Sequence, residues 1–287
     1  MMKLGVLVSG KLGDIVLKRI YNLYDVKVVF TDFKSQSVID FCISNNLPLF
    51  KGNPRNKKGY NFIKNIKVDV IASINYLFLI EKDIINLAIK GVFNIHGSLL
   101  PKYRGRTPHV WAIINNEKFT GITAHLIEEG CDTGDILEQI KITIDENDTG
   151  GDLLLKFQNE YESLTLKVLA NFSNNTLKMT KQDEFCATYY GKRTSDDGRI
   201  NWNWQKERIR NWVRAQSYPY PGAFSFFNNN KIIIDEIKFS SHGFNFKDEN
   251  GLILKVNPSI IIKTVNGAIE LKKIRNNIEL SVGDKLN

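Results

Sequence analysis

Between positions 94 and 135 the chain carries an amide, an imidazole and a carboxylate that together suit acyl transfer from one nitrogen to another. Asn94 and His96 stand in Asn94-Ile95-His96-Gly97, and Asp132 in Gly130-Cys131-Asp132-Thr133-Gly134-Asp135. An attacking amine must lose a proton, and an imidazole with an ordinary pKa of roughly 6.5 can accept it near neutrality, which fits His96. The carbonyl oxygen becomes an oxyanion, and Asn94 offers an N–H that stabilises it without competing as an acid. A carboxylate beside the imidazole raises its proton affinity and fixes its tautomer, or takes a proton through water, and Asp132 could do this.

These side chains need a scaffold. Residues i and i+2 of a strand share a face, so Asn94 and His96 emerge together if Gly91-Val92-Phe93, apolar and β-prone, opens a strand. A turn from Gly97 to Gly105 follows. Asp132 comes after Gly121-Ile122-Thr123-Ala124-His125-Leu126, a second strand-like run. A single histidine near a strand end is more often structural, and an Asp in a Cys-Asp-Thr-Gly turn is usually a turn-former. Spacing alone therefore leaves Asp132 open.

The apolar pattern predicts the remaining elements. Residues 4–8 read as a buried strand, Ser9-Gly10-Lys11-Leu12-Gly13 as a turn and 15–24 as a helix. Further strands are expected at 26–31, 48–50, 68–73 and 92–95, with helices at 37–46 and 80–89. Strands alternating with helices imply an α/β fold, a doubly wound and mainly parallel sheet of Rossmann type, with ligands beyond the carboxyl ends of the strands. Thr107-Pro108 reads as the N-cap and first position of a helix through Ile114. Helical spacing of Leu153, Phe157, Tyr161, Leu164, Val168 and Phe172 predicts a long helix packed on the sheet. After Phe224, short runs at 232–234, 252–254, 260–262 and 269–271 predict a small β-rich barrel. The expected division is a catalytic domain over 1–182, then a linker and small domain over 183–287.

A chain of 287 residues can bury a substantial core, and its 43% hydrophobic content argues against disorder. No apolar run is long enough to span a bilayer, and the first residues lead into a strand rather than a signal peptide. A cytoplasmic protein without a membrane partner is expected. Cys42, Cys131 and Cys186 form no CxxC pair, so neither a disulfide framework nor a zinc site is indicated, and Cys131 reads as small packing filler. His96, His109, His125 and Asp132 lack HExxH or comparable spacing, so no metal is expected. The net charge of +8 suits nucleic acid. The cations, however, form no dense basic stripe of the kind that gives strong phosphate-backbone affinity.

The run Asn94-Ile95-His96-Gly97-Ser98-Leu99-Leu100-Pro101-Lys102-Tyr103-Arg104-Gly105, then Pro108, Trp111-Ala112-Ile113, Gly121-Ile122-Thr123 and Asp132-Thr133-Gly134-Asp135, closely resembles the formyltransferases that use N10-formyltetrahydrofolate. The resemblance implies that Asn94, His96 and Asp132 are the catalytic trio and that N10-formyltetrahydrofolate is the co-substrate. It further implies that the loop Asn75-Tyr76-Leu77-Phe78-Leu79 grips the pterin, with Ile127 in the segment that closes the pocket. A second block, Ala187-Thr188-Tyr189-Tyr190-Gly191-Lys192-Arg193 through Tyr218-Pro219-Tyr220-Pro221-Gly222-Ala223-Phe224, looks like the link into the OB-like C-terminal domain of methionyl-tRNA formyltransferases and related sugar formyltransferases. Glycinamide ribonucleotide formyltransferases lack that domain.

The tRNA enzymes carry a basic insertion after the second strand, where this chain has only Asp32-Phe33-Lys34-Ser35-Gln36-Ser37. Gly97, the Lys102–Arg106 run and Trp111 are closer to sugar-nucleotide formyltransferases. The resemblance thus points to a nucleotide-linked amino sugar, most similar to dTDP-4-amino-4,6-dideoxyglucose, made for surface polysaccharide such as O-antigen or lipopolysaccharide. No nucleic acid partner is expected, and related sugar enzymes suggest a homodimer through the C-terminal region. A diphosphate needs cations or backbone N–H groups, which Gly10 and Lys11 can supply at the first strand-to-helix turn. Ser98, Arg104, Tyr189, Tyr190, Arg193 and Tyr218 are further substrate-binding candidates. The alternatives are a methionyl-tRNA formyltransferase, a hydrolase of the same formyl donor, or a non-catalytic nucleotide-binding module.

Overall fold

Apolar runs too continuous for a half-exposed sheet dictate the first layer of the fold. The computed structural model describes residues 1–276 and 278–287, and the chain forms two compact units. One comprises Met1–Gly105, Gly121–Ile142 and Lys156–Tyr189, the other Arg106–Thr120, Thr143–Leu155 and Tyr190–Asn287.

In the first unit β1 (Lys3–Val8), α1 (Gly10–Tyr21), β2 (Asp25–Thr31), α2 (Gln36–Ser44), β3 (Leu49–Lys51), α3 (Lys58–Ile63), β4 (Val68–Ile74), α4 (Lys82–Ile85) and β5 (Ala88–His96) alternate, with α3 added to the elements that the sequence predicts. Along the chain there follow β6 (Arg104–Gly105), α5 (Pro108–Ile114) of the second unit, β7 (Phe119–Leu126), β8 (Ile136–Thr143) and α6 (Gly150–Asn174), whose first residues also belong to the second unit. Seven strands form one sheet in the order β3-β2-β1-β4-β5-β7-β8. The first five pair in parallel, and β7 joins β5 antiparallel. Leu4, Val6, Leu7, Val28, Phe30, Val70, Ile71, Val92 and Phe93 are buried along these strands, as expected where helices cover both faces. Phe172 of α6 stacks on Phe93 at 5.9 Å between ring centroids.

Two local expectations change. The helix expected at 80–89 is the four-residue α4, and Ala88 and Ile89 already belong to β5. Its apolar residues fit either period, and pairing of Val68 with Ala88 draws the segment into the sheet. The turn expected at Ser9–Gly13 is tighter, because α1 starts at Gly10. Gly10 has φ +65, and a Cβ on Gly13 would lie 2.8 Å from Val8 Cβ, so the helix turns back directly over its strand.

The second unit contains α5, α7 (Lys206–Gln216) and an antiparallel half-barrel; β9 (Tyr189–Tyr190) pairs with β6 in a two-stranded ribbon. The half-barrel strands β10 (Ala223–Phe227), β11 (Asn230–Ser240), β12 (Ile253–Lys255), β13 (Ile261–Thr264) and β14 (Gly267–Ile274) lie in the order β10-β11-β14-β13-β12. In α7, Ile209, Trp212 and Val213 are buried with helical spacing. Thr107 stands at the N-cap of α5 with Pro108 following, as expected, but its φ is 50° and its Oγ1 makes no capping bond and is buried without a partner. Among the described residues no helix is long and apolar enough to cross a membrane.

Candidate active site

The strand register of the first unit sets three polar side chains side by side. Asn94 on β5 lies opposite Ser73 on β4 and His125 on β7. Ser73 Oγ donates to Asn94 Oδ1 at 3.1 Å, and Asn94 Nδ2 lies 3.4 Å from His125 Nε2. His125 Nδ1 is 2.8 Å from the Leu126 carbonyl, which can only accept, so Nδ1 carries the hydrogen. Burial pushes the His125 pKa down to about 4. The ring is therefore neutral, its Nε2 accepts from Asn94, and the carboxamide has one orientation. Its second N–H has no partner among the described residues.

His96 shares the face of Asn94, two residues on, and is 7% exposed. Its Nε2 lies 2.8 Å from the Tyr103 carbonyl and so donates there. The lone pair of the neutral ring is then on Nδ1, 3.5 Å from Asp132 Oδ2. Asp132 Oδ2 also accepts from the Gly105 N–H at 2.9 Å, and its Oδ1 stands 3.6 Å from His125 Nε2. Burial raises the Asp132 pKa, but His96 and the Gly105 N–H outweigh it and hold the carboxyl below the usual range. Asn94, His96 and Asp132 are thus brought together, with His125 as a fourth member that spacing did not reveal. Chemically the cluster offers an aimed N–H donor beside a base whose conjugate acid faces a carboxylate.

The proposed pterin loop follows β4. Asn75 has φ 53 and donates through Nδ2 to the Ser9 carbonyl at 3.0 Å. The Tyr76 hydroxyl is buried without a partner, and burial, with Asp32 nearby, pushes its pKa up. Leu77 and Leu79 are exposed, and the Phe78 ring lies 5.5 Å from that of Tyr76. Ile127 and Tyr76 pack against the same buried cluster of Leu7, Phe30, Ile71 and Val92.

At the start of α1 the Gly10 N–H donates to Ser35 Oγ at 2.8 Å, and Ser35 Oγ donates to Asp32 Oδ2 at 2.5 Å. Lys11 is exposed beside it. Two substrate candidates are turned inward instead of toward a ligand. Ser98 is fully buried and donates to the Lys102 carbonyl at 2.6 Å. Arg104 is fully buried, and its five N–H groups are all engaged by Gln182, Glu184 and the Tyr189 hydroxyl. Tyr189 is exposed apart from that bond.

In the second unit Arg193 lies between the rings of Trp111 and Trp212, at 4.8 and 4.4 Å from their centroids, and donates to Gln216 and the Asp197 carbonyl. The Tyr190 ring packs on Trp111, and its hydroxyl accepts from Asn115. Tyr218 is 76% exposed. Cys131 is exposed rather than packing filler, its thiol 3.5 Å from Asp132 Oδ2. Among the described residues no three His, Cys, Asp or Glu side chains are grouped to hold a metal ion.

Comparison with known proteins bears on this geometry. The family described as formyl transferase matches residues 26–169, and its C-terminal domain matches residues 192–282. The bifunctional polymyxin resistance protein ArnA of Wigglesworthia glossinidia brevipalpis is 36% identical over 255 residues, 88% of this chain. The chain spans 38% of the length of that relative. The solved structure of WlaRD, a sugar 3N-formyl transferase with dTDP and 5-N-formyl-THF, is 25% identical with a TM-score of 0.72, covering 97% of this chain and 99% of that one. A 4-N formyltransferase from Francisella tularensis shares the fold at 21% identity and a TM-score of 0.66, covering 95% and 98% of the two chains.

Proposed function

Because the chain belongs to the formyl transferase family, we propose that it moves the formyl group of N10-formyltetrahydrofolate onto the primary amine of a nucleotide-linked amino sugar. The observation that carries this reading is the aim of Asn94: Ser73 and His125 fix its carboxamide while one N–H stays available beside the His96–Asp132 pair. That N–H stabilises the formyl oxygen as it gathers negative charge. In the neutral ring, whose hydrogen is on Nε2 and donated to the Tyr103 carbonyl, the His96 Nδ1 lone pair takes the proton of the attacking amine. The Asp132 carboxylate, 3.5 Å away, balances the imidazolium that results. Transfer is direct, without a covalent bond to the enzyme: the new bond from the amine to the formyl carbon replaces the formyl–N10 bond of the donor, and the proton that His96 takes from the amine balances the one N10 gains as tetrahydrofolate leaves.

The folate supplies the one-carbon unit when bound. Exposed Leu77 and Leu79, with Phe78 and the backbone from Asn75 onward, offer the apolar wall and polar edge that suit a pterin. The Gly10 N–H is taken up by Ser35, but the exposed Lys11 beside it, at the start of a helix whose first turn holds no acidic residue, suits a diphosphate. The sugar nucleotide is proposed as dTDP-4-amino-4,6-dideoxyglucose. WlaRD, solved with dTDP and a formyl-folate, supports the nucleotide and the donor, and its 3N specificity makes a 3-amino sugar the second reading. The product would feed surface polysaccharide synthesis in the cytoplasm, with the enzyme acting as a dimer.

The test is a panel of amines offered with N10-formyltetrahydrofolate: dTDP- and UDP-linked 3-amino and 4-amino sugars, and charged initiator methionyl-tRNA. Tetrahydrofolate release is expected with one dTDP-linked amino sugar. Release with the tRNA and with no sugar nucleotide would overturn the substrate class.

A further inference from the structure

Asp132 sits in a turn that the surrounding structure has to hold. Its φ is 56°, in the left-handed region that side-chain-bearing residues seldom occupy. Such a conformation persists where its neighbours over-determine it. Gln182 is one of those neighbours, 50 residues further along the chain. Its Nε2 donates to the Asp132 carbonyl at 2.8 Å and to the Gly134 carbonyl at 2.7 Å. Its Oε1 accepts from Arg104 Nε at 3.1 Å and Nη2 at 2.8 Å. Both N–H groups and both lone pairs are used, which leaves one orientation, because a flipped amide would set donors against donors and an acceptor against acceptors.

Arg104 is itself locked, with Glu184 gripping both of its terminal nitrogens. The residue after it, Gly105, donates its N–H to the Asp132 carboxylate at 2.9 Å. The Arg104-Gly105 pair thus holds Asp132 twice, at the carboxylate directly and at the backbone through Gln182. Resting on the catalytic role proposed for Asp132, we infer that Gln182, oriented by Arg104, is a positioning residue that sets where the Asp132 carboxylate stands beside His96. This also gives Arg104 a task that its burial allows, where phosphate binding would need donors it has already committed.

Gln182→Glu tests the inference, because it keeps the length and the acceptor toward Arg104 but turns an oxygen against two carbonyls. It should lower kcat on the order of 100-fold, the scale of a misplaced catalytic group, with the KM of both substrates unchanged. Gln182→Met, which removes the donors without adding charge, should give the same split. Added to Asp132→Asn, either change should cost little more, since both act through one carboxylate. Hydrogen exchange reads the clamp without activity: the Leu126 and Ile136 amides, bonded to Asp135 and Thr180 at either end of the turn, should exchange faster while those of β1 and β4 do not change.

Wild-type kcat and exchange in both Gln182 variants would overturn the inference and leave the proposed trio standing. Faster exchange throughout the unit would overturn it too, by making Gln182 a residue of the fold. Wild-type turnover in Asp132→Asn would overturn both readings.

Discussion

Burial decides the protonation of His125, and through it the aim of Asn94. With its pKa pushed down to about 4, the ring stays neutral where a free histidine, at roughly 6.5, would charge. Between those values the unfolded chain binds a proton that the folded chain does not. Stability is therefore full above about pH 6.5 and lost as pH falls toward 4, by roughly 3 kcal/mol at most. Denaturant unfolding at neutral pH and near pH 4 should show wild type losing more stability than His125→Gln. Equal losses would mean that His125 is charged in the fold. At this scale Asn94 and His96 were legible because two residues on one strand must share a face. Arg104 was misjudged as a ligand-binding cation because its acceptors, Gln182 and Glu184, lie 78 and 80 residues away and nothing in the local motif shows them.

Among the elements, the parallel sheet was readable from apolar runs bounded by turn residues, since burial on both faces leaves a continuous signal in β1, β2 and β4. Segment 80–89 was not, because its isoleucines and leucine satisfy helix and strand alike and the pairing of Ala88 with Val68 decides the outcome. The partnership of Asn94 with His125 is likewise a matter of register, which a single strand does not reveal. The end of β7 makes a sharper demand. A Cβ on Gly134 would lie 2.0 Å from the Leu126 carbonyl oxygen, so any side chain there forces the Asp132 turn away from the strand. Gly134→Ala should fold, because the turn is at the edge of the unit's core, and should lower kcat at least about 10-fold by moving Asp132. Steady-state kinetics beside a thermal melt checks this, and unchanged kcat would show that the turn shifts without consequence.

On the scale of the whole molecule, segments distant in sequence gather into each unit. Arg106–Thr120 and Thr143–Leu155 cluster with Tyr190–Asn287, an exchange that composition along the chain does not display. The half-barrel was legible as short β runs, whereas α7 was hidden by the Lys, Glu and Arg residues that surround its buried Ile209, Trp212 and Val213. The net charge of +8 alone would have suggested nucleic acid. The residue pattern outweighed it, because chemistry at an amine needs an aimed amide, a base and an acid in one place, and net charge specifies none of them.

That convergence is best tested by mass spectrometry of the sugar nucleotide after single-turnover incubation with N10-formyltetrahydrofolate, for wild type, His96→Asn and Asp132→Asn, with dTDP binding measured in parallel. N-formylated product is expected from wild type, with product formation slowed by about 100-fold or more in each variant and dTDP binding unchanged in all three. Product at near wild-type rate from either variant would contradict the convergence.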